Sequence, residues 1–486
     1  MRVIIIIISP IIITACFIGV IILILTDKLN RAIAALAGAI ITYFVLIFIE
    51  DFNFAIIVEL LFGTQDDDFV NLHSLILIIA MMIIVLISNE AGLFQFIAVK
   101  LIIFSHGKPI RLMIIFCVIT VLISAVLNNI LTVIILIPLT ITISRILNID
   151  PTPYILTQAV LVNIGGTIFS ISSIPNILIT TYSKITFTEF FLNVGLISLI
   201  IFGFTLIFFI LLYRKELVIP SGGAEILKEF DVWNFGPNKA LLMQSMIAFI
   251  ILITLLIIIP SSIITPDMIA LTIAISLMIT SRLNPKEIIT KIDLELILYL
   301  IGIFIIAGAM EVTGITDAIA IVMSNLGGGD VLTEVLIILW ISAFLSSSID
   351  NIPITRVLIP VIDNMEVGNN PETKNLTYYS LAIGANWGDN LTPLGDNILV
   401  VNIAEQHKRP ISFKKFFKLG FITTVYQLSI VSVIFILMFQ FAFGIILILS
   451  IFFCIAIIYL LYKGNPKTVG LKIDKLVNKI RNLIIR

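Results

Sequence analysis

The chain has 486 residues, 60% of them hydrophobic and 12% charged, with a net charge of −1 and a mean hydropathy of +1.19. Soluble domains carry about 25% charged residues, so this composition excludes a water-soluble fold and describes an integral membrane protein with the lipid bilayer as its solvent. The same balance offers no basic excess for nucleic acid. Cys16, Cys117 and Cys454 are scattered in apolar runs and His73, His106 and His407 have no metal spacing, which excludes a disulfide framework and a zinc site.

The first apolar run, residues 3–25, has one leading Arg2 and no small-x-small cleavage site. It is expected to be a transmembrane helix rather than a signal peptide. Further runs follow at 32–49, 72–88, 91–104, 112–146, 154–182, 190–212, 241–259, 266–281, 294–310, 312–323, 332–362, 376–404, 419–437 and 440–462. A simple span needs about 20 residues. The runs at 91–104 and 312–323 are short, whereas 112–146 and 332–362 are long with a polar middle, the pattern of a re-entrant hairpin.

Loop charge orients the spans. The connections around Lys28 and Arg31, Lys108 and Arg111, Arg145, Arg214 and Lys215, Arg282 to Lys291, and Lys408 to Lys418, with the tail 463–486, are assigned to the cytoplasm. Of the 29 Lys and Arg, only Arg2, Lys184 and Lys374 then fall outside, and Lys100 and Arg356 lie within membrane segments. This places the N-terminus outside and the C-terminus in the cytoplasm of a multi-pass cell-membrane protein. It holds only if 112–146 enters and leaves from the cytoplasm and 332–362 from outside, so the two hairpins point at each other.

An internal repeat supports this. SAVLNNI (124–130) aligns with SSSIDNI (346–352) at an offset of 222 residues, both lead to an Ile-Pro step, and the offset also brings Gly92 onto Gly314. After each hairpin a span is interrupted, by NIGGTIFSISSIPN (163–176) and by GANWGDNLTPLGDN (384–397). The expected fold class is therefore all-α integral membrane, an inverted-topology repeat with two re-entrant hairpins and two broken helices. Its site is expected near the bilayer midplane.

These segments resemble the ion transporter superfamily of arsenite permeases, certain sodium/proton antiporters, citrate-type permeases and P-protein-like chains. SAVLNNILTVIILIP is similar to the family's SAFLDN hairpin signature, NIGGTIFSISSIPN to its NIGG…GDPPN segment, SSSIDNIPITRVLIP to SAFVDNIP, and GANWGDNLTPLGDN to GxxxGGNxTxxG. SNEAGLF (88–94) looks like its E-[ST]-G element. The resemblance covers about 72–437 and implies a scaffold part, a transport part, elevator-type movement and a homodimer. On that basis the chain divides into N-terminal scaffold helices (1–71), repeat 1 (72–212), a cytoplasmic linker (213–240), scaffold helices (241–293), repeat 2 (294–437) and an extra helix with a basic tail (438–486). Two departures stand out. The family's first-hairpin Asp is Asn128 here and its GDPPN acid is Ser173, whereas Asp389 and Asp396 replace small residues and Asp350 keeps the usual acid.

The candidate ion- and substrate-binding residues follow from these segments. Ser124, Asn128, Asn129 and Thr132 offer amide and hydroxyl oxygens at the first hairpin tip. Gly165, Gly166, Thr167, Ser172, Ser173 and Asn176 belong to an unwound stretch whose carbonyls can face an ion. Ser346, Asp350, Asn351 and Arg356 come from the second hairpin, and Asn386, Asp389, Asn390, Thr392, Asp396 and Asn397 from the second broken helix. Asp350, Asp389 and Asp396 are candidate sodium ligands or proton acceptors; equally, one of them pairs with Arg356 and the others cap helix ends. The asparagines are ligands or packing groups. Glu90, Glu311 and Asp317 are read as solvated interfacial residues.

No HExxH, nucleophile elbow, phosphate loop or paired membrane-protease Asp is present, so no enzyme activity and no cofactor beyond a coupling ion, Na+ or H+, is expected. The expected function is secondary active transport of a small inorganic or carboxylate anion with such an ion. A Na+/H+ antiporter is the alternative, and an ion channel the alternative of another class.

Overall fold

The computed structural model describes residues 2–449 apart from positions 27, 66, 107, 218–237, 366–370, 394–396, 443, 447 and 448. Asp396, most of the expected linker, most of the run at 440–462 and the basic tail lie outside the described residues. Within them the chain is helical, with no strand. That follows from a lipid environment, in which each backbone N–H and C=O must be satisfied within its own segment.

The first half contains α1 (Arg2–Leu25), α2 (Arg31–Phe48), a short α3 (Ile56–Phe62), α4 (Val70–Glu90) and α5 (Leu93–Ile103). Then come the first hairpin, α6 (Pro109–Ser124) and α7 (Asn129–Ile146), and the first broken helix, α8 (Thr152–Gly165) and α9 (Ile174–Ser183). A long helix α10 (Phe187–Tyr213), with a π turn at Phe191–Gly195, closes the half. The second half runs through α11 (Lys239–Ile258), α12 (Pro266–Ser281), α13 (Pro285–Ile289), α14 (Leu294–Val312) and α15 (Ile315–Gly327). Its hairpin is α16 (Val331–Ser346) and α17 (Asn351–Asn364), its broken helix α18 (Pro371–Gly388) and α19 (Asn397–Gln406), and its last described helix of length is α20 (Phe413–Phe439). Among the described residues eight helices are long and apolar enough to cross a membrane. Their outward faces carry Ile, Leu and Phe, such as Ile22, Phe48, Leu211 and Ile258, as lipid contact requires.

Each element of the first half has a counterpart ten elements later. Equivalence therefore reaches back to α1–α3 and α11–α13, beyond the segments where the sequence repeat is visible. The halves also exchange helices: α2 packs along α14, and α12 packs along α4. Gly92 and Gly314 begin α5 and α15 with φ of +70° and +75°, a left-handed conformation open to glycine without strain, and so set the same sharp turn in both halves.

Ion pairs mark the two faces of the helix bundle. Lys291 meets Glu90 at 2.6 Å and Arg31 meets Glu295 at 3.1 Å on one face; Lys184 meets Asp68 at 2.5 Å on the other. These are the faces that loop charge assigns to the inside and outside.

Candidate functional site

Both hairpins turn in four residues at their tips, and both tips cap the helix that follows. The Asn128 side chain accepts from Leu131 N at 2.8 Å, and the Asp350 side chain accepts from Ile352 N at 3.1 Å. Asn and Asp are equally good N-caps because each short side chain reaches an orphan amide of the first turn. The helix start is thus set identically by a neutral residue in one half and an acid in the other.

The arms are fixed to the broken helices by a repeated pair of bonds. Ser124 Oγ donates to Val162 O at 2.6 Å, and Ser346 Oγ to Ala385 O at 2.5 Å. Glycine allows the close approach. A Cβ at Gly165 would stand 2.8 Å from Val121 O, and one at Gly388 would stand 2.2 Å from Ala343 O, the equivalent residue of the other hairpin. Across each break, Asn176 Nδ2 donates to Gly166 O at 2.8 Å and Asn397 Nδ2 to Asp389 O at 3.0 Å. An unwound carbonyl is therefore taken by a side-chain amide in both halves, and Gly166 O also accepts from Ser172 Oγ at 2.8 Å.

The two breaks cross at a buried amide network. Asn129 Nδ2 donates to Asn163 Oδ1 at 2.6 Å, and Asn163 Nδ2 donates to Asn390 Oδ1 at 2.8 Å and, at 3.5 Å, to Asp389 Oδ2. Asn390 Nδ2 reaches Val160 O at 3.1 Å. Beside it, Ser173 Oγ donates to Asn386 Oδ1 at 2.5 Å and Asn386 Nδ2 to Asn176 Oδ1 at 2.8 Å. Trp387 Nε1 donates to Thr167 Oγ1 at 2.9 Å. Thr132 bonds back to Asn128 O, and Thr392 ties the second break to Ser347 O at the hairpin tip. Asn163, at the centre of the network, is absent from the sequence-derived site. Its signal was there: it follows Val162 as Asn386 follows Ala385.

The tips open onto a cavity of about 90 Å³. Asn128, Asn129, Ser173, Asp350 and Asn351 line it, as do the first residues of α7, α9 and α17. Three helix N-termini, each a partial positive charge, thus meet at one space. The scaffold side adds Met82, Leu86, Leu296 and three charged residues the sequence reading left in loops, Arg31, Lys291 and Asp293. On the opposite face a recess of about 1420 Å³ lies around Asp68, His73, Lys184, Asp267 and Ser170. A smaller void lined by Ile78, Met81, Val85, Ile171 and Ile177, with Asn128 and Ser172, adjoins the first cavity.

Of the three expected carboxylates, Asp396 lies outside the described residues. Asp350 lines the cavity and Asp389, 3% exposed, lies in the amide network without lining it. Among the described residues no group of three His, Cys, Asp or Glu is placed to hold a metal. Among the described residues Arg356 pairs with Glu311 rather than with Asp350 or Asp389. It is 6% exposed and sits 3.5 Å from Glu311. The reason is register: Arg356 lies five residues past the tip on α17, where α17 packs along α14, and Glu311 is at the end of α14. Glu311 is therefore an ion-pair partner rather than a simply solvated end; likewise Glu90 pairs with Lys291 and Asp317 accepts from Asn364 Nδ2 at 2.5 Å.

Comparison with known proteins agrees with this architecture. Residues 21–384 match the family model described as citrate transporter, CitMHS. An uncharacterized transporter of Mycobacterium bovis is 27% identical over 427 residues, covering 86% of this chain and 96% of its own. The human P protein is 26% identical, covering 84% of this chain and 57% of its own length. Among solved structures, the Alcanivorax borkumensis YdaH transporter superposes with a TM-score of 0.53 at 13% identity over 76% of this chain and 85% of that one, a likeness of fold. The matched family model spans most of the chain, both hairpins and the first broken helix, and the chain belongs to the CitMHS family of transporters within the ion transporter superfamily.

Proposed function

We propose that the chain is a secondary active transporter that moves a small anion together with a coupling cation, Na+ or H+, by elevator-like alternating access. The observation that carries this reading is the cavity where the N-termini of α7, α9 and α17 converge with Asn128, Asn129, Ser173 and Asn351. Oriented N–H groups and neutral amide donors suit an anion, and the neighbouring Asp350 suits a cation that accompanies it. An asymmetry in packing supports a carrier over a channel: α17 lies along α14, whereas α4 lies along α9. Exchange of those two arrangements would close the present mouth and open the other. Loop charge assigns the present mouth to the cytoplasm, and the functional unit is a homodimer.

The test is uptake into proteoliposomes holding the purified chain. Citrate, a C4 dicarboxylate and arsenite are offered in turn under an imposed sodium or proton gradient. Uptake of one of them driven by either gradient supports the reading; gradient-independent flux, or none of any anion, overturns it.

Asp389 favours a second reading, a Na+/H+ antiporter, because it is a buried carboxylate surrounded by Asn163, Asn390 and Asn397. Sodium-driven proton movement with no anion present would decide for it.

A further inference from the structure

An ion pair of the second half has no charged counterpart in the first. Arg356 Nη1 lies 3.5 Å from Glu311 Oε2, and among the described residues Glu311 is the carboxylate it meets. The guanidinium is buried, and its Nε and Nη1 find no hydrogen bond among those residues. Arg356 belongs to the second hairpin. Glu311 stands in the last turn of α14, about 24 Å along that helix from Glu295 and so toward the Lys184 face. A helix C-terminus is itself partly negative, so α14 gains nothing from an acid there, and the guanidinium across the contact is what the acid answers. The 222-residue offset holds element by element: α4 and α14 end at Glu90 and Val312, α5 and α15 begin at Leu93 and Ile315, and α7 and α17 begin at Asn129 and Asn351. It carries Glu311 onto Asn89 and Arg356 onto Ile134, an amide and an alkyl chain with no charge between them. Packing differs in the same sense. α17 lies along α14 where the pair forms, whereas α4 lies along α9, and Ile134 is left 46% exposed.

We infer that the Glu311–Arg356 pair is a one-sided fastening that sets which face the transport site opens to at rest. The inference rests on the alternating-access reading above. In the present arrangement the pair ties the second hairpin to α14, while the tip of that hairpin, Asp350 and Asn351, lines the cavity on the side of Arg31 and Lys291. In the exchanged arrangement the first hairpin would lie along α4 and the second would leave α14. Arg356 and Glu311 would then part, and Ile134 beside Asn89 would offer no ion pair in return. A buried guanidinium that loses its carboxylate carries an uncompensated charge, which is costly. The pair is thus a contribution that the two arrangements do not share, and it biases the resting equilibrium toward the one that opens on the Arg31 face. Both are positioning residues, since neither lines the cavity.

The experiment introduces Ile130→Cys in the cavity wall of a full-length chain whose Cys16, Cys117 and Cys454 are replaced by Ala, and measures its labelling by a membrane-impermeant maleimide. Sealed membrane vesicles of the two orientations let the reagent reach either the Arg31 face or the Lys184 face. With the pair intact, labelling from the Arg31 face is expected to dominate. Glu311→Gln and Arg356→Met should each raise the ratio of Lys184-face to Arg31-face rates by about fivefold or more, and the double variant no further than the larger single. Arg356→Met serves if Glu311→Gln, which strands a buried guanidinium, folds poorly. A role in stability alone would lower the unfolding midpoint and leave the ratio unmoved. An unchanged or lowered ratio in both single variants, while citrate or a sodium or proton gradient shifts it in the parent chain, overturns the fastening and leaves alternating access standing. Effects that add in the double variant overturn the pair as their cause. A ratio that no substitution, gradient or anion moves removes alternating access itself, and the inference with it.

Discussion

Replacing Asn163 by Ala removes a side chain that joins the first hairpin tip to the second broken helix. It takes away the 2.6 Å acceptor of Asn129 Nδ2 and the 2.8 Å donor to Asn390 Oδ1. Polar bonds between membrane helices average about 0.6 kcal/mol and reach about 1.7 kcal/mol in double-mutant cycles. All three amides here are at least 96% buried and the first bond is short, which places each bond toward the upper figure. A further cost of about 1 kcal/mol applies where a buried partner finds no replacement. The sum is a loss of about 3–4 kcal/mol, enough to lower the unfolding midpoint by several degrees. Denaturant unfolding of the purified chain in detergent measures it, and a cycle with Asn129→Ala isolates the first bond, with an expected coupling of about 1–2 kcal/mol. Asn163→Asp is the informative companion. It keeps the acceptor for Asn129 but puts a carboxylate beside Asp389, so it should cost more than Ala. If Asn163→Ala costs less than about 0.5 kcal/mol and the cycle is additive, the crossing of the breaks is held by apolar packing and the amide network is incidental.

Gly388→Ala drives a methyl into the backbone of Ala343 and should cost about 1–3 kcal/mol or more, with Gly165→Ala milder because its closest approaches, to Ser124 Cβ and Val121 O, are 2.8 Å rather than 2.2 Å. Gly203→Ala, with open space around it on α10, should be neutral or stabilising by up to about 1 kcal/mol, and thermal unfolding of the three variants side by side orders them. For the Glu311–Arg356 pair, Glu311→Gln should lower the unfolding midpoint more than Arg356→Met does, because the first strands a buried guanidinium and the second removes it. The reverse order would mean that Arg356 has another partner carrying its charge.

The hairpins were legible because a polar tip inside a long apolar run has no other inexpensive explanation in lipid. SAVLNNI and SSSIDNI therefore announced both the break and its repeat. Ser124, Ser346, Asn176 and Asn397 were picked out from the same segments, and their bonds turn out to be paired across the halves. The equivalence of α1–α3 with α11–α13 was not legible, since apolar helices facing lipid carry no positional marks. Arg31 and Lys291 were seen only as loop charges that orient the chain, and Asp293 was not singled out. Nothing local in them says that α2 and α14 pack so as to carry those charges to the mouth of the cavity. The Glu311 partner of Arg356 was not legible for a similar reason: it lies on another helix, and the turn of α17 carries the guanidinium toward α14.

The residue that distinguishes the two hairpins is the cap itself. Asn128 and Asp350 stand at the same turn and each accepts from an amide of the helix that follows. Since Asn and Asp cap equally well, helix formation gives no reason for a carboxylate at one tip and an amide at the other. A carboxylate in a membrane-embedded cavity carries a desolvation cost that the amide avoids, so its charge must be compensated throughout the cycle. On the proposed reading a bound cation supplies that compensation at Asp350, and the neutral Asn128 imposes no such condition on the first hairpin.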